Sequence, residues 1–239
     1  GKSPTLASMI DLRNRSRGGH IVCIEDPIEF LHQHQRSIVD QREVGLDTRS
    51  FEQALLNVLR ESPDVIMIGE IRDRDAMQHA LHYSETGHLC IATLHATNTT
   101  QAIERICNFF PKEARQQVLG DLALNLQAIV GQRLVPGREA KRVAAVELLL
   151  KTPYIADLIQ RDQLDDIKAA IGRGQELGLQ TFDQHLYALV QAGRISLDEA
   201  LRHADSRTDL TLRAKLARGF HAEDAELKVM RDSELHITP

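Results

Sequence analysis

Short, unbroken apolar runs alternate along the first part of the chain with stretches whose apolar residues recur every three or four positions. The runs at residues 20–24, 65–68 and 86–95 predict strands. Runs of this kind, bounded by turn signals, are typical of strands buried on both faces of a parallel sheet. Helical spacing predicts helices at residues 4–12, 50–61, 73–85, 96–110 and 116–130. This alternation predicts an α/β fold with a mainly parallel sheet and right-handed crossovers.

The polar stretch at residues 31–49 interrupts this alternation, and we expect an excursion there, a hairpin with one strand near residues 37–39. After a β-like segment at 143–150 the pattern is mainly helical, with segments at 153–161, 163–171, 182–190 and 210–216. We therefore predict a core at residues 1–135 and a C-terminal β-strand with a helical region at 136–218. A loosely ordered tail is expected at residues 219–239.

Composition narrows the classes of function. Aromatic residues make up only 4% of the chain, Trp is absent, and the formal net charge is −5. These values argue against a motor that acts on nucleic acid, because such a protein usually has a broad basic surface and aromatic side chains on which bases stack. A nucleic-acid motor is nevertheless kept as one alternative function. Cys23, Cys90 and Cys107 are too scattered for a disulfide scaffold or a structural zinc site, and reduced thiols fit a cytoplasmic protein. No apolar run approaches the roughly 20 residues that span a bilayer.

Glu70 follows the buried strand at 65–68 directly after Gly69. Open α/β sheets bind ligands at the carboxyl ends of their strands, so this carboxylate is expected at the ligand crevice. A carboxylate in such a place needs a partner, because an unpaired buried charge is costly. Two interpretations stay open at this point: a salt bridge to Arg72 or another basic side chain, or a magnesium ion with a phosphate.

Polar side chains also follow the other predicted strands. Glu25, Asp26 and Glu29 come after the strand at 20–24, where a solvated turn is the simple alternative for any one of them. His88 and His95 lie near the two ends of the strand at 86–95. A structural role is the default for His88, whereas a ligand-facing role is equally open for His95 at the carboxyl end.

The first residues, Gly1-Lys2-Ser3, stand directly before a predicted helix. They match the second half of the phosphate-binding loop GxxxxGK[ST], in which backbone N–H groups and the helix N-terminus hold the phosphates. In such a loop Lys2 would reach the outer phosphates and Ser3 would bind magnesium. The three residues alone are a weak signal, because the first half of the motif lies outside the sequence.

Taken together, these stretches resemble the secretion-type ATPases of the RecA-like class, and most closely the pilus-retraction ATPases of the PilT/PilU kind. Residues 24–30 look like the Asp box of that family, residues 66–73 like its Walker B strand, and residues 86–95 like its His box. Residues 180–183 resemble part of its C-terminal helical domain. The resemblance implies a RecA-like P-loop ATPase core followed by a C-terminal helical region.

The resemblance also implies cofactors and residue roles. ATP and Mg²⁺ are the implied cofactors, with the nucleotide held by Gly1, Lys2, Ser3 and Pro4 and the metal by Ser3 and Glu70. The implied catalytic residues are Glu29, Glu70, His88, His95 and Arg105. Pro4 departs from the family pattern, which usually has Thr at that position. Because the front of the loop and the family's N-terminal domain are absent from the sequence, we expect this chain by itself to bind ATP weakly or not at all.

The function implied is that of an ATP-hydrolysing motor subunit that powers type IV pilus retraction and twitching motility. Residues 154–161 keep the apolar spacing but not the charges of the family's AIRNLIRE stretch, which favours an accessory, PilU-like ATPase. Pilus-extension and type II secretion ATPases usually carry a four-cysteine zinc insert that the cysteines here cannot supply. The alternative is an ATPase-like adaptor that couples to a partner motor with little turnover of its own.

The same resemblance implies where the protein acts and with what. It implies a homo-oligomer, a hexameric ring in the full-length form, and a cytoplasmic location peripheral to the inner-membrane pilus machine. The implied partners are a paralogous retraction ATPase and the inner-membrane pilus platform protein, and no nucleic acid.

Overall fold

The computed structural model describes residues 1–216, so the tail predicted for 219–239 lies outside the described residues. Ten α-helices and six strands follow one another in this part of the chain, together with four short 3-10 helices. Their order is α1 (Lys2–Ser16), β1 (Gly19–Glu25), β2 (Ser37–Glu43), α2 (Phe51–Val58), β3 (Val65–Ile68), α3 (Arg74–Glu85), β4 (Leu89–Ala92), α4 (Thr99–Asn108), α5 (Arg115–Asn125), β5 (Ala128–Val135), β6 (Val143–Leu150), α6 (Pro153–Gln160), α7 (Ile167–Arg173), α8 (Phe182–Gln191), α9 (Leu197–His203) and α10 (207–216).

The first four strands form one sheet in the order β2-β1-β3-β4, and every pair in it is parallel. Val22 and Ile66 point to one face, where α2, α3, α4 and α5 contribute to the same buried cluster. Ile21 and Met67 point to the other face, where α1 packs. Helices therefore cover both faces, which explains why β3 reads as an unbroken apolar run and confirms the predicted parallel sheet.

Side-chain caps fix where the helices of the sheet begin. Ser50 accepts a hydrogen bond from the backbone N–H of Gln53 at the start of α2, and Asp73 does the same for Ala76 at the start of α3. Each such cap satisfies a backbone donor that has no partner within the helix. Because Asp73 ends the turn after β3, the segment between the strand and α3 is short, and Glu70 stays close to the end of the strand.

Three predictions from the sequence were wrong. The hairpin expected at residues 31–49 is absent, because β2 runs parallel to β1 at the edge of the sheet. The strand expected at 86–95 is confined to Leu89–Ala92. The helix expected at 116–130 ends at Asn125, and Ala128–Val135 is a strand that pairs with β6 in a separate two-stranded sheet. The apolar residues 128–130 fit both periods, so periodicity alone did not reveal the change.

The chain divides into two compact units. One unit holds residues 1–132 and 147–180, and the other holds 133–146 and the described residues from 181 on. In the second unit Phe182 and Leu186 of α8 pack with Val135 and Val143. The predicted boundaries at residues 135 and 218 stay a prediction. In residues 1–216, no helix is long and apolar enough to cross a membrane.

Candidate active site

A polar cavity of about 290 Å³ lies at the carboxyl edge of the parallel sheet. Its volume is at the lower end of the range for small-molecule sites. Side chains from the start of α1 and from the segments after β1, β3 and β4 line it. The charged and polar members are Lys2, Ser3, Glu25, Asp26, Glu29, His32, Glu70, Arg72, Thr93 and His95.

Gly69 allows the end of β3 to approach β1 closely. Its N–H donates to the Ile24 carbonyl at 2.8 Å. A Cβ at this position would lie 3.2 Å from the Ile24 oxygen and 3.3 Å from the Glu25 Cα. Both neighbours are backbone atoms, so a side chain here would force the strands apart. Glycine therefore brings Glu70 next to the carboxylates that follow β1.

Glu70 is held at both carboxylate oxygens. Oε1 lies 2.5 Å from His95 Nε2, and Oε2 accepts a hydrogen bond from Arg72 Nε at 2.8 Å. Burial favours the neutral acid, but the hydrogen bond from Arg72 and the positive charges of Arg72 and Lys2 outweigh it, so the pKa of Glu70 is lowered. The structure thus contains the salt bridge that is one of the two interpretations of Glu70. The same contacts keep the carboxylate ionised, which the other interpretation, a magnesium ligand, would also require.

Lys2 lies on the other side of His95. Its Nζ donates to the Leu94 carbonyl at 3.1 Å and lies 3.5 Å from His95 Nδ1. An ammonium group can only donate, so Nδ1 is the acceptor and Nε2 carries the proton that faces Glu70. His95 therefore links Lys2 of α1 to Glu70 after β3.

Ser3 and Glu29 form the other polar contact of the cavity. Ser3 Oγ donates to Glu29 Oε1 at 3.1 Å. The residues on both sides of Glu29 are fixed by β2, because the Ile28 N–H donates to Glu43 Oε2 at 2.9 Å and Gln41 Nε2 donates to the Phe30 carbonyl at 2.8 Å. The backbone of Glu29 is therefore anchored while its carboxylate stays exposed.

Glu25 lies at the end of β1 and behaves differently from Glu70. Burial and the charges of Glu29 and Glu43 raise its pKa, against the effect of the hydrogen bond from Gln41 Nε2. The cavity thus holds two carboxyl groups whose environments push their pKa values in opposite directions. Such pairs are common where proton transfer or metal binding takes place.

Two residues predicted for the site lie elsewhere. His88 stands before β4, at the opposite end of that strand from His95, and its Nδ1 lies 3.0 Å from Thr86 Oγ1 and 3.2 Å from the Tyr83 carbonyl. Arg105 is exposed on α4 and stacks on Phe109, 5.7 Å from the ring centroid. Neither lines the polar cavity. Their predicted contact with the nucleotide stays a prediction.

Gly1 and Pro4 do not line the cavity either, although they flank the two residues that do. Gly1 precedes α1, and its carbonyl accepts a hydrogen bond from the Thr5 hydroxyl at 3.1 Å. Pro4 stands in the first turn of α1, where its missing N–H removes no helix hydrogen bond.

Sequence reasoning missed the side chains that position the site. In the sequence, Gln41 and Glu43 belong to a polar excursion, yet in the structure they stand opposite Cys23 and Glu25 in the parallel register of β1 and β2. Arg72 was considered only as a partner of Glu70, but its second nitrogen also donates to Asp26 at 3.2 Å. The adjacent β-branched residues Ile38 and Val39 are the local signal for a strand there, and the polar residues after them conceal how far it extends.

A larger cavity of about 700 Å³ lies between β4 and β5. Its lining is mostly apolar and contains none of the carboxylates Glu25, Glu29 and Glu70. Lys2 lines both cavities. The smaller, polar cavity is therefore the candidate active site.

The parallel sheet with helices on both faces and the polar cavity at its carboxyl edge define a RecA-like α/β protein. The chain belongs to the family described as "Type II/IV secretion system protein", whose model matches residues 1–228. It is 57% identical over 217 residues to the type IV pilus ATPase PilU of Pseudomonas aeruginosa, covering 90% of this chain and 57% of that protein. It is 43% identical over 204 residues to the pilus retraction ATPase PilT of the same organism, covering 85% of this chain and 59% of that protein.

A solved structure shares the fold. The crystal structure of the pilus retraction motor PilT with bound ADP superposes with a TM-score of 0.82 at 42% identity, covering 87% of this chain and 59% of that one. The chain thus spans less than two thirds of the length of the relatives it matches.

Proposed function

We propose that this chain carries the catalytic part of an ATP-hydrolysing motor subunit that powers type IV pilus retraction, of the accessory, PilU-like kind. One observation carries the proposal. The cavity gathers, from four separate segments, the side chains that phosphoryl transfer requires: Lys2, Ser3, Glu29, Glu70 and His95. The printed names of the relatives, a type IV pilus ATPase and a pilus retraction motor, supply the biological setting.

The phosphates of ATP would bind at Lys2 and the N-terminus of α1. The first N–H groups of a helix have no partner within the helix, and the helix dipole favours an anion there. Lys2 adds a full positive charge at the same place. In the structure its acceptors are the Leu94 carbonyl and His95, which are neutral groups. A negatively charged phosphate would form a stronger hydrogen bond with the ammonium group.

The donor set of the cavity fits Mg²⁺. This ion prefers hard oxygen ligands, usually one or two from the protein with the rest from water and phosphate. Ser3 Oγ and the ionised carboxylate of Glu70 are oxygens of this kind, and both residues line the cavity. When bound, Mg²⁺ supplies neutralisation of phosphate charge. Ser3 and Glu70 would hold it, and His95 and Arg72 keep the Glu70 carboxylate in place.

Glu29 is the residue that would act on the attacking water. Phosphoryl transfer demands little of the protein beyond positioning and charge stabilisation, together with a group that orients the nucleophile. Glu29 offers an exposed carboxylate on an anchored backbone, and Ser3 holds it beside the metal-binding positions. It would orient the water and accept its proton.

The assembly is part of the same proposal. We propose a homo-oligomeric ring, a hexamer in the full-length protein, that acts at the inner-membrane pilus machine with a paralogous retraction ATPase and the platform protein. Arg105 and His88 lie outside the cavity of one chain, so any contact of theirs with nucleotide would require the assembled ring.

The test is hydrolysis by the full-length protein with Glu29→Gln or Glu70→Gln. Each variant keeps size and shape but loses the charge, and we expect a fall in kcat of about 10²-fold or more. Glu113→Gln, at an exposed carboxylate away from the cavity, is the matched control and should leave hydrolysis unchanged. Pilus retraction should fail with the first two variants. Retraction that is unaffected by both would instead favour the adaptor with little turnover.

A further inference from the structure

His20, Asp40 and Glu61 form a cluster at the opposite edge of the sheet from the active site. His20 lies at the amino end of β1, Asp40 lies on β2, and Glu61 ends the short 3-10 helix after α2. One ligand atom from each lies within 4.8 Å of the others. His20 is in register with Ile38, so Asp40, two positions further along β2, is on the same face of the sheet.

A hydrogen bond orients the His20 ring. Nδ1 lies 3.1 Å from the backbone carbonyl of Glu61, and a carbonyl can only accept, so Nδ1 carries a proton. Nε2 lies 2.8 Å from Asp40 Oδ2. With its N–H turned to the Glu61 carbonyl, the ring directs its other nitrogen toward the Asp40 carboxylate, so Nε2 and a carboxylate oxygen can serve as ligands of one cation.

The charges around the ring favour a cation. Asp40 and Glu61 each offer a carboxylate oxygen within 4.8 Å of a nitrogen of the ring, and the carboxylate of Asp64 accepts a hydrogen bond from the backbone N–H of His20 at 2.7 Å. The guanidinium of Arg42 contacts one oxygen of Glu61 at 2.5 Å. A carboxylate offers about four lone-pair positions, so this contact leaves room for a metal at Glu61. The Arg13 guanidinium also lies near the Asp64 carboxylate beside Gly19, so three carboxylates stand against two guanidinium groups.

We propose that His20 Nε2 and the carboxylates of Asp40 and Glu61 bind a divalent transition-metal ion, and that Zn²⁺ fits best. An imidazole nitrogen with carboxylate oxygens suits Zn²⁺ better than Mg²⁺ or Ca²⁺, which select oxygen ligands. Zinc-binding histidines commonly donate their other ring nitrogen to a carbonyl or carboxylate, as Nδ1 does here. Three protein ligands leave a fourth position for water.

The metal has a structural consequence. His20 and Asp40 belong to adjacent strands, whereas Glu61 belongs to the segment between α2 and β3. An ion bound by these three residues would link the edge strand β2 and its neighbour β1 to the segment that leads into β3. Since Gln41 and Glu43 of β2 anchor the backbone around Glu29, the ion would stabilise the strand that positions this residue.

The experiment measures Zn²⁺ binding by the full-length protein after removal of metals with a chelator. Titration against a fluorescent zinc indicator gives the affinity, and Co²⁺ in place of Zn²⁺ gives visible absorption bands that report nitrogen and oxygen ligation. We expect one high-affinity site per chain. His20→Ala and the isosteric Asp40→Asn should each weaken it at least tenfold, and Zn²⁺ should raise the Tm of the parent protein but not of Asp40→Asn.

Two controls separate this site from other metal binding. The first control is His203→Ala. His203 lies 3.8 Å from Glu199, but this pair belongs to no group of three possible metal ligands among residues 1–216. Its replacement should therefore not change the zinc affinity. Glu70→Gln removes a carboxylate of the active site and should leave this site intact. Zinc affinity that is the same in the parent protein, His20→Ala and Asp40→Asn would overturn the proposal, as would the absence of any binding tighter than millimolar.

Discussion

His95 Nε2 lies 2.5 Å from Glu70 Oε1, and this contact joins the segments that follow two adjacent parallel strands. Because the Lys2 ammonium occupies the other side of the imidazole, the ring has one tautomer, with its proton toward Glu70. His95 is therefore a positioning residue for the carboxylate that would hold the metal.

Replacement of His95 tests this relationship. His95→Ala removes the donor to Glu70 Oε1 and should lower kcat about 10- to 100-fold, the usual effect of losing a hydrogen bond to a metal-binding residue. The concentration of Mg²⁺ needed for half-maximal activity should rise. His95→Gln places an amide N–H where Nε2 stands and should restore part of the activity. Equal loss in both variants would argue that the ring itself acts on the nucleotide.

The opposite pKa shifts of Glu25 and Glu70 can be measured in one titration. The pKa of Glu70 should lie below the ordinary glutamate value and that of Glu25 above it, and ¹³C NMR of the side-chain carboxyls reads both. Because the pKa of Glu70 is lowered by folding, its ionised form contributes stability above the ordinary glutamate range. That stability is lost as the pH falls through the lowered pKa.

The variant Arg72→Gln tests whether Arg72 causes the lowered pKa of Glu70. It removes the hydrogen bond and the charge at Glu70 Oε2, so the pKa of Glu70 should rise toward the ordinary value. Among residues 1–216, no hydrogen bond joins Glu25 to Arg72. The pKa of Glu25 should therefore change far less than the pKa of Glu70. A Glu70 pKa that stays low in Arg72→Gln would show that another charge causes the shift.

The anchoring of Glu29 by β2 leads to a third prediction. Gln41→Leu removes the donor to the Phe30 carbonyl, and Glu43→Gln weakens the acceptor for the Ile28 N–H. Each should lower kcat by about tenfold, because misplacement of a catalytic group is costly, while KM for ATP stays nearly constant. Gln78→Leu, at an exposed position on α3, is the matched control. If KM rises and kcat is unchanged, the loop around Glu29 binds nucleotide and does not position the base.

The close approach of Gly69 to β1 leads to a fourth. In Gly69→Ala the new methyl group would lie 3.2 Å from the Ile24 carbonyl oxygen, so the backbone must shift. We expect a loss of about 1–3 kcal/mol in the free energy of unfolding, which denaturant titration measures. Gly120→Ala is the comparison, because nothing lies within 4 Å of a Cβ there and the residue is inside α5. It should be neutral or stabilise by about 0.5–1 kcal/mol. Similar losses in both variants would contradict the packing argument.

Much of the fold followed from local chemistry in the sequence. The apolar run at Val65–Ile68 is a local feature and is confirmed as β3, and the helices predicted from residues 50 and 73 begin within one residue of those positions. The place of Glu70 at the carboxyl edge followed from a general rule about parallel strands. The strand predicted near residues 37–39 is confirmed as β2, but the hairpin was wrong, because the partner of an edge strand is set by tertiary packing. β5 was read as part of a helix, because an apolar segment of three residues satisfies both periods.

The candidate site was predicted only in outline. The sequence placed carboxylates and a histidine at strand ends, but the pairs Ser3–Glu29 and His95–Glu70 depend on distances between segments far apart in the chain. A structural role is the default for His88 in the sequence, and only the family resemblance implies a catalytic one; in the structure this residue stands directly before β4.

The most direct measurement of the central claim is a crystal structure of the full-length protein with a non-hydrolysable ATP analogue and Mn²⁺, whose anomalous signal locates the metal. We predict the metal beside Ser3 Oγ and the Glu70 carboxylate, with the phosphates at Lys2 and the N-terminus of α1. Glu29 should face the terminal phosphate. A nucleotide whose phosphates and metal bind away from Lys2, Ser3 and Glu70 would contradict the account.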